Sequence, residues 1–397
     1  MREKYQKIAI PLMAILISFI VGGLIILATG QNPLDAFTSL LQGAGILPKE
    51  SYAAKKGMLT DFMSTLNMLT PMIFAALAVA VAFKTGLFNI GVSGQMLLGG
   101  FIASILVGYS DLPSYIAKPS VIIVGALMGA LVGALIGWLK YKFNINEVVS
   151  SIMINYILQY VISFFINVNF INPVSRQSRN VSEAARLTLM DVEMNGIKFD
   201  LPLGFFLAIP TIFIVKFMLD KTRMGYEMKT VGLNKQAAKY AGMNVGKNMV
   251  LAMTISGLLA GIAGVTFYLG YFSSIQPKVL STVGFDAIAV SLLGNSNPLG
   301  IFFSASLITI ISRGSNYMSS AVGVQPEITQ VITGVILLFS ACSAYIAYVL
   351  NNKKQKTVAP NAGAQNVAES LDNTINKEET DDKAKDDVEN VVERGEE

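Results

Sequence analysis

Apolar residues in this chain come in long unbroken runs rather than at amphipathic spacing, and the runs themselves predict the elements. Residues 8–28 form such a run behind Arg2, Lys4 and Lys7. At 1.5 Å per residue it is long enough to cross a hydrocarbon core of about 30 Å. No A-x-A cleavage pattern follows it, so it reads as a membrane helix rather than a signal peptide. Comparable runs predict helices over 61–83, 120–139, 147–171, 203–219, 249–269 and 327–350. Between them lie shorter pieces: a glycine-broken stretch at 84–101 leads into a helix running on to Val107, and apolar runs at 285–293 and 301–311 flank the polar sequence GNSNPLG (294–300). Runs of this length are too short to cross alone and predict discontinuous helices, tolerated where backbone is buried in protein or lines a cavity. Counting them as crossings, the pattern describes an all-α polytopic membrane protein of about ten transmembrane helices. The segment 29–57, with Pro33, Gly43, Gly45, Pro48 and Gly57, reads as a loop.

Within the runs, small and polar residues fall in register. Gly125, Gly129, Gly133 and Gly137 recur every fourth residue, which puts them on one helix face and lets another backbone approach closely. Ser151, Asn155 and Gln159 line one face of the helix over 147–171 by the same spacing. Each half of the chain also holds one interrupted segment, FNIGVSGQ (88–95) and GFDAIAVSLLGNSNPLG (284–300). Paired interruptions of this kind predict an internal inverted repeat and a mid-membrane site built from half-helices. The groups that would line a pathway there are Asn89, Ser93, Gln95, Asn155, Gln159, Asp286 and Asn295. Amides and hydroxyls suit a neutral polar solute, and they also suit hydrogen bonds that hold helices together. Asp286 differs, since a carboxylate at membrane depth is costly unless it is paired, near an interface or functional.

Composition agrees with the pattern: 53% of the 397 residues are hydrophobic, 14% are charged, and the mean hydropathy is +0.54. So little polar surface cannot cover a soluble globule of this size. With no histidine and one cysteine, a Ser-His-Asp triad, a disulfide framework and a Cys/His metal site are all excluded. The net charge of +4 conceals a division. Residues 352–397 carry 12 acidic and 7 basic side chains; removing them from the totals of 26 and 30 leaves 14 against 23, a net of +9 in residues 1–351. The tail over 352–397 is polar and poor in aromatics and reads as disordered; residues 1–351 form the transmembrane domain. Positive charge sorts the loops. The loop 172–201 balances four basic against four acidic residues and is expected outside. The loop 220–247 carries six basic residues against Asp220 and Glu227 and is expected inside, with both termini.

That basic loop is the most informative stretch. Residues 235–240 read as a short helix ended by Gly242, and Gln236, Ala237 and Ala238 offer a small surface for close approach. By composition the loop is an ordinary charged connector or a docking element. Its motif AAKYAGMN (237–244), followed by SGLLAGIAG (256–264), resembles the ATPase-coupling loop and next helix of permease subunits in bacterial ABC importers that carry branched-chain amino acids, simple sugars and nucleosides. FNIGVSGQMLLGGF (88–101), NEVVSSIMINYI (146–157) and GFDAIAVSLLGNSNPLG resemble the nucleoside-type permeases in particular. Gln236, Ser93 and Ser151 depart from that pattern, where glutamate, glutamate and threonine are usual.

The resemblance implies a membrane subunit that imports nucleosides by alternating access in a bacterial plasma membrane, with simple sugars or an ion-coupled secondary mechanism as alternatives. It implies a coupling element at Gly232, Gln236, Ala237, Ala238, Gly242 and Asn244. The implied partners are an ABC ATPase subunit, a second homologous permease subunit in a heterodimer, an extracellular substrate-binding lipoprotein and membrane lipid, with no nucleic acid. The chain itself has no Walker A sequence: GMNVGKN (242–248) has one residue too few between its glycines and no final Ser/Thr. No cofactor or metal is expected on this chain, ATP and Mg being expected on the partner ATPase, and the chain is expected not to be an enzyme.

Overall fold

The computed structural model describes residues 2–52, 55–194, 196–325, 327–336 and 338. The charged tail, and the part of the expected helix 327–350 beyond residue 338, lie outside the described residues. The remainder is a helical bundle. Its elements are α1 (Arg2–Ala28), α2 (Pro33–Gly43), α3 (Met58–Lys84), α4 (Val92–Ala103), α5 (Ser114–Phe143), α6 (Glu147–Phe165), α7 (Leu203–Lys221), α8 (Arg223–Leu233), α9 (Lys235–Tyr240), α10 (Val245–Val265), α11 (Val283–Leu293), α12 (Pro298–Val322) and α13 (Glu327–Ile336). Helices α4, α6 and α10 each loosen into a π-helical turn, at Ser104–Gly108, Ile166–Phe170 and Thr266–Tyr271.

Two long helices, α3 and α10, form the interior. In α3 every residue from Leu69 to Ala82 is buried, and 83% of its most apolar stretch is enclosed, against 28% in α7. Its run of alanines, valines and leucines has no polar face because it has no face toward solvent. Helix α5 packs on α10 through its glycines: a Cβ at Gly129 would stand 2.1 Å from the Gly257 carbonyl oxygen, and one at Gly133 2.1 Å from that of Met253. On the other side of α5, Ile123, Leu127, Leu131 and Leu135 are exposed, an apolar stripe suited to lipid.

Three expectations are corrected. The segment 29–57 is more than a loop: it contains α2, started by Asn32, whose side chain accepts from Leu34 N, and by Pro33, and set at 116° to the end of α1. The run at 301–311 is only the first half of a 25-residue helix, α12. Ser312, Arg313, Ser315 and Asn316 do not end that helix; Ser312, Ser315 and Asn316 face a cavity between helices and Arg313 bonds to neighbouring helices. The loop 172–201 carries a two-stranded antiparallel hairpin, β1 (Thr188–Met194) and β2 (Ile197–Pro202), tied to the start of α3 by the Thr60 hydroxyl donating to Lys198 O at 2.7 Å.

Candidate functional site

The chain departs from helix at the two places where its interruptions fall. After α3, Gly86 adopts φ +70° and residues 87–90 run non-helically before α4 begins. Residues 272–282 likewise precede α11. The starts of these two short helices meet: Ser93 Oγ donates to Ser281 O at 2.9 Å, and a Cβ on Gly284 would lie 2.6 Å from Ser93 N. Eleven residues make α11 about 16 Å long, half of a membrane crossing.

Around the α4 start, the amides expected from sequence form two adjoining hydrogen-bonded clusters. Asn89 Nδ2 donates to Gln95 Oε1 (3.0 Å) and Ser256 Oγ (2.8 Å), and its Oδ1 accepts from Gly91 N. Asn155 Oδ1 accepts from Gly94 N at 2.9 Å, while its Nδ2 donates to Ile90 O at 3.0 Å. Asn89, Ser93, Gln95 and Asn155 are all buried. Asn155 from α6 thus pairs backbone groups that the broken helix leaves open, Asn89 caps Gly91 N from within the interruption, and Ser256 of α10 anchors Asn89. Gln159 donates to Lys278 O at 2.6 Å and ties α6 to the segment before α11. Asn295 lies apart from all of these, exposed in the α11–α12 turn with φ +53°.

Asp286, in the first turn of α11, lies elsewhere. It lines a cavity of about 580 Å³ between α3 at Met68, the π turn that ends α10, and helices α11, α12 and α13. Phe267, Tyr271 and Phe272 form one aromatic wall, their ring centroids 4.8–6.3 Å apart. Ser312, Ser315, Asn316, Thr329, Gln330 and Thr333 supply hydroxyls and amides from α12 and α13. Among the described residues Asp286 forms no ion pair. Arg313 backs the aromatic wall, Nη2 donating to Ser64 Oγ at 2.7 Å and Nη1 to the Tyr271 hydroxyl at 3.5 Å. Size, apolar rings and a few convergent polar groups are what a small-molecule site requires. The aromatic run FYLGYF (267–272) and the polar residues within α12 were its signals in the sequence, hidden because the first resembles the end of a span and the second the end of an apolar run.

At the basic end, α8 and α9 lie between α7 and α10. Asn234 caps α9, its Oδ1 accepting from Gln236 N and Ala237 N, and Gly242 closes it with φ +77° while its N–H donates to Lys239 O. Gln236, Ala237, Lys239 and Tyr240 are exposed, whereas Ala238 turns inward and is buried with Leu87, Val231 and Met249. Gly232 presses against the end of α3, where a Cβ would fall 2.4 Å from Lys84 O. Asn244 caps α10 through Lys247 N. Beside α9 opens a cleft of about 820 Å³ lined by Arg223, Tyr226, Gly242, Asn244 and Lys247 among others. Glu227 crosses its floor, where the Asn248 amide and then Arg223 hold its carboxyl below the usual range.

Comparison with known proteins adds to this geometry. The family described as "Branched-chain amino acid transport system / permease component" matches residues 62–341. The chain is 35% identical to the guanosine ABC transporter permease protein NupP of Bacillus subtilis, over 90% of this chain and 99% of that protein. It is 33% identical to the nucleoside ABC transporter permease protein NupB of Lactococcus lactis, over 89% and 96%. The glucose ABC transporter permease protein TsgB13 of Haloferax volcanii is 25% identical over 84% and 87%.

Proposed function

The chain belongs to the branched-chain amino acid transport system / permease component family, and we propose that it imports nucleosides as the membrane-spanning subunit of an ATP-driven ABC transporter. It is a multi-pass membrane protein and not itself an enzyme. The observation that carries the substrate reading is the cavity at Asp286: an aromatic wall to hold a base faces hydroxyls and amides able to pair with a ribose. The two relatives that match nearly their full length at 33–35% identity are nucleoside and guanosine permeases, whereas the glucose permease stands lower at 25%. A sugar is therefore the less favoured solute.

On this reading α8 and α9 face the cytosol, the hairpin faces outside, and both termini are cytoplasmic in a bacterial plasma membrane. A partner ATPase, which binds ATP and Mg, grips the exposed side of α9 and the cleft beside it. A second homologous permease subunit and an extracellular binding lipoprotein complete the assembly. Closure of the ATPase pushes on α9, whose buried Ala238 and packed Gly232 pass the displacement to the ends of α3 and α10. The contact must differ in strength between the two states, because equal contact shifts no equilibrium.

The test is uptake of labelled nucleoside into proteoliposomes holding the chain with its ATPase, partner permease and binding protein. Uptake should require ATP and be displaced by unlabelled nucleosides but not by glucose. Uptake that persists without the ATPase would refute ATP coupling, and displacement by glucose alone would reassign the solute.

A further inference from the structure

The polarity of the hydrogen-bonding groups in the Asp286 cavity goes further than the general fit to nucleosides and rests on that reading. An ionised carboxylate only accepts hydrogen bonds. The Tyr271 hydroxyl is biased the other way. Its oxygen already accepts from Arg313 Nη1 at 3.5 Å, and a guanidinium has no lone pair to accept in return. The phenol proton therefore points away from Arg313, and Tyr271 itself lines the cavity. Arg313 is fixed in this role by its bond to Ser64 at 2.7 Å. Among the polar groups of the cavity, Asp286 thus stands out as the one carboxylate and Tyr271 as a donor of fixed direction, beside the stacking rings of Phe267 and Phe272.

We propose that Asp286 and Tyr271 read the base edge, and that the solute they select is a 6-oxopurine nucleoside. Guanine offers two adjacent donors, N1–H and the 2-amino group, which match the two oxygens of a carboxylate, with the O6 acceptor next to them for the phenol. Hypoxanthine keeps O6 and N1–H and loses the amino group, so it makes one bond fewer to the carboxylate. Adenine places the N1 lone pair where the carboxylate expects a donor, and cytosine does the same with N3; each sets two acceptors against one another at Asp286. A bidentate pair of this kind discriminates between bases by on the order of ten-fold or more.

The experiment measures binding of labelled guanosine, inosine and adenosine to the full chain in its complex with the ATPase and partner permease in lipid nanodiscs, with the binding lipoprotein left out. ATP-driven uptake of each nucleoside by the complete transporter is measured in parallel. The wild type should bind guanosine over adenosine by roughly ten-fold or more, with inosine between. Asp286→Asn, isosteric but carrying both donor and acceptor, should bring the guanosine-to-adenosine ratio close to one, chiefly by weakening guanosine. Tyr271→Phe, which keeps the ring, should weaken guanosine and inosine together and preserve their ratio. If Asp286→Asn lowers all three nucleosides by one factor, or if the wild type shows no base preference, the carboxylate does not read the base and the proposal falls. Nucleosides that are taken up but never bind the complex overturn it as well. Absence of ATP-driven uptake of any nucleoside is the separate result that refutes the transport function itself.

Discussion

Replacing Gly129 by alanine tests the packing that holds the bundle together. The added methyl would stand 2.1 Å from Gly257 O and 2.7 Å from Gly261 Cα, both backbone atoms of α10. Neither can rotate away, and ordinary contact needs about 3.5 Å, so α5 and α10 must separate by roughly 1 Å. The displacement spreads along the seam, because Gly133 and Gly261 sit equally close, their Cβ positions 2.1 and 2.0 Å from Met253 O and Gly125 O. A gap of that size forfeits about a quarter to a half of each dispersion contact; over roughly forty atom pairs worth about 0.15 kcal/mol each, the loss is about 1.5–3 kcal/mol. Overpacking penalties in other cores fall in the same range, about 1–3 kcal/mol. The assay is thermal unfolding of the purified protein in detergent. Gly129→Ala should melt well below the wild type, and Gly137→Ala, whose nearest backbone atom is 2.9 Å away, should fall between. Gly334→Ala serves as the reference, since among the described residues nothing lies within 4 Å of its Cβ position. An alanine there should be neutral or stabilise by about 0.5–1 kcal/mol. If Gly129→Ala melted at or above the wild type, the reasoning from backbone contact would be wrong.

Other outcomes follow from the two sites. Gly242→Pro cannot adopt φ +77° and loses the N–H that bonds Lys239 O, so it should abolish ATP-driven uptake in proteoliposomes while the protein still inserts. Ala238→Trp should do the same by lifting α9 from its buried seat; transport surviving both changes would remove α9 from the coupling path. Asn155→Leu strands Gly94 N and Ile90 O in the interior, which costs about 1–3 kcal/mol for each, read as a lower unfolding temperature with guanosine-to-adenosine selectivity unchanged. Phe267→Ala should weaken nucleoside binding several-fold for every base, since stacking is indifferent to the edge; an unchanged affinity would place the base elsewhere.

The spans were legible because each crossing writes a long apolar run, and α3, α5, α6, α7 and α10 coincide with the predicted runs within a few residues. The glycine register on α5 was legible for the same kind of reason: spacing by four is a property of a single helix. What escaped the sequence depends on which neighbour a residue meets. The stretch from Ser312 to Asn316 is polar because its helix borders a cavity, and composition alone cannot distinguish that from a helix that has ended. Asn89, Gln95 and Asn155 have the same donors and acceptors whether they meet a solute or the backbone of a broken helix, and only the fold shows that their partners are Ser256, Ile90, Gly91 and Gly94. Asp286 stood out from sequence because a lone carboxylate carries a desolvation cost wherever it is placed in a span. The hairpin at 188–202 is short and irregular between Leu189 and Val192, too brief for an alternation of apolar and polar residues to announce it.

The joint at Ser93, Ser281 and Gly284 has a mechanical consequence. Two helices whose starts touch this closely have little slack between them, so a tilt of either one is felt by the other. A passage opened beside α11 therefore draws on the seating of α4, and a loosening of α4 disturbs the floor of the passage.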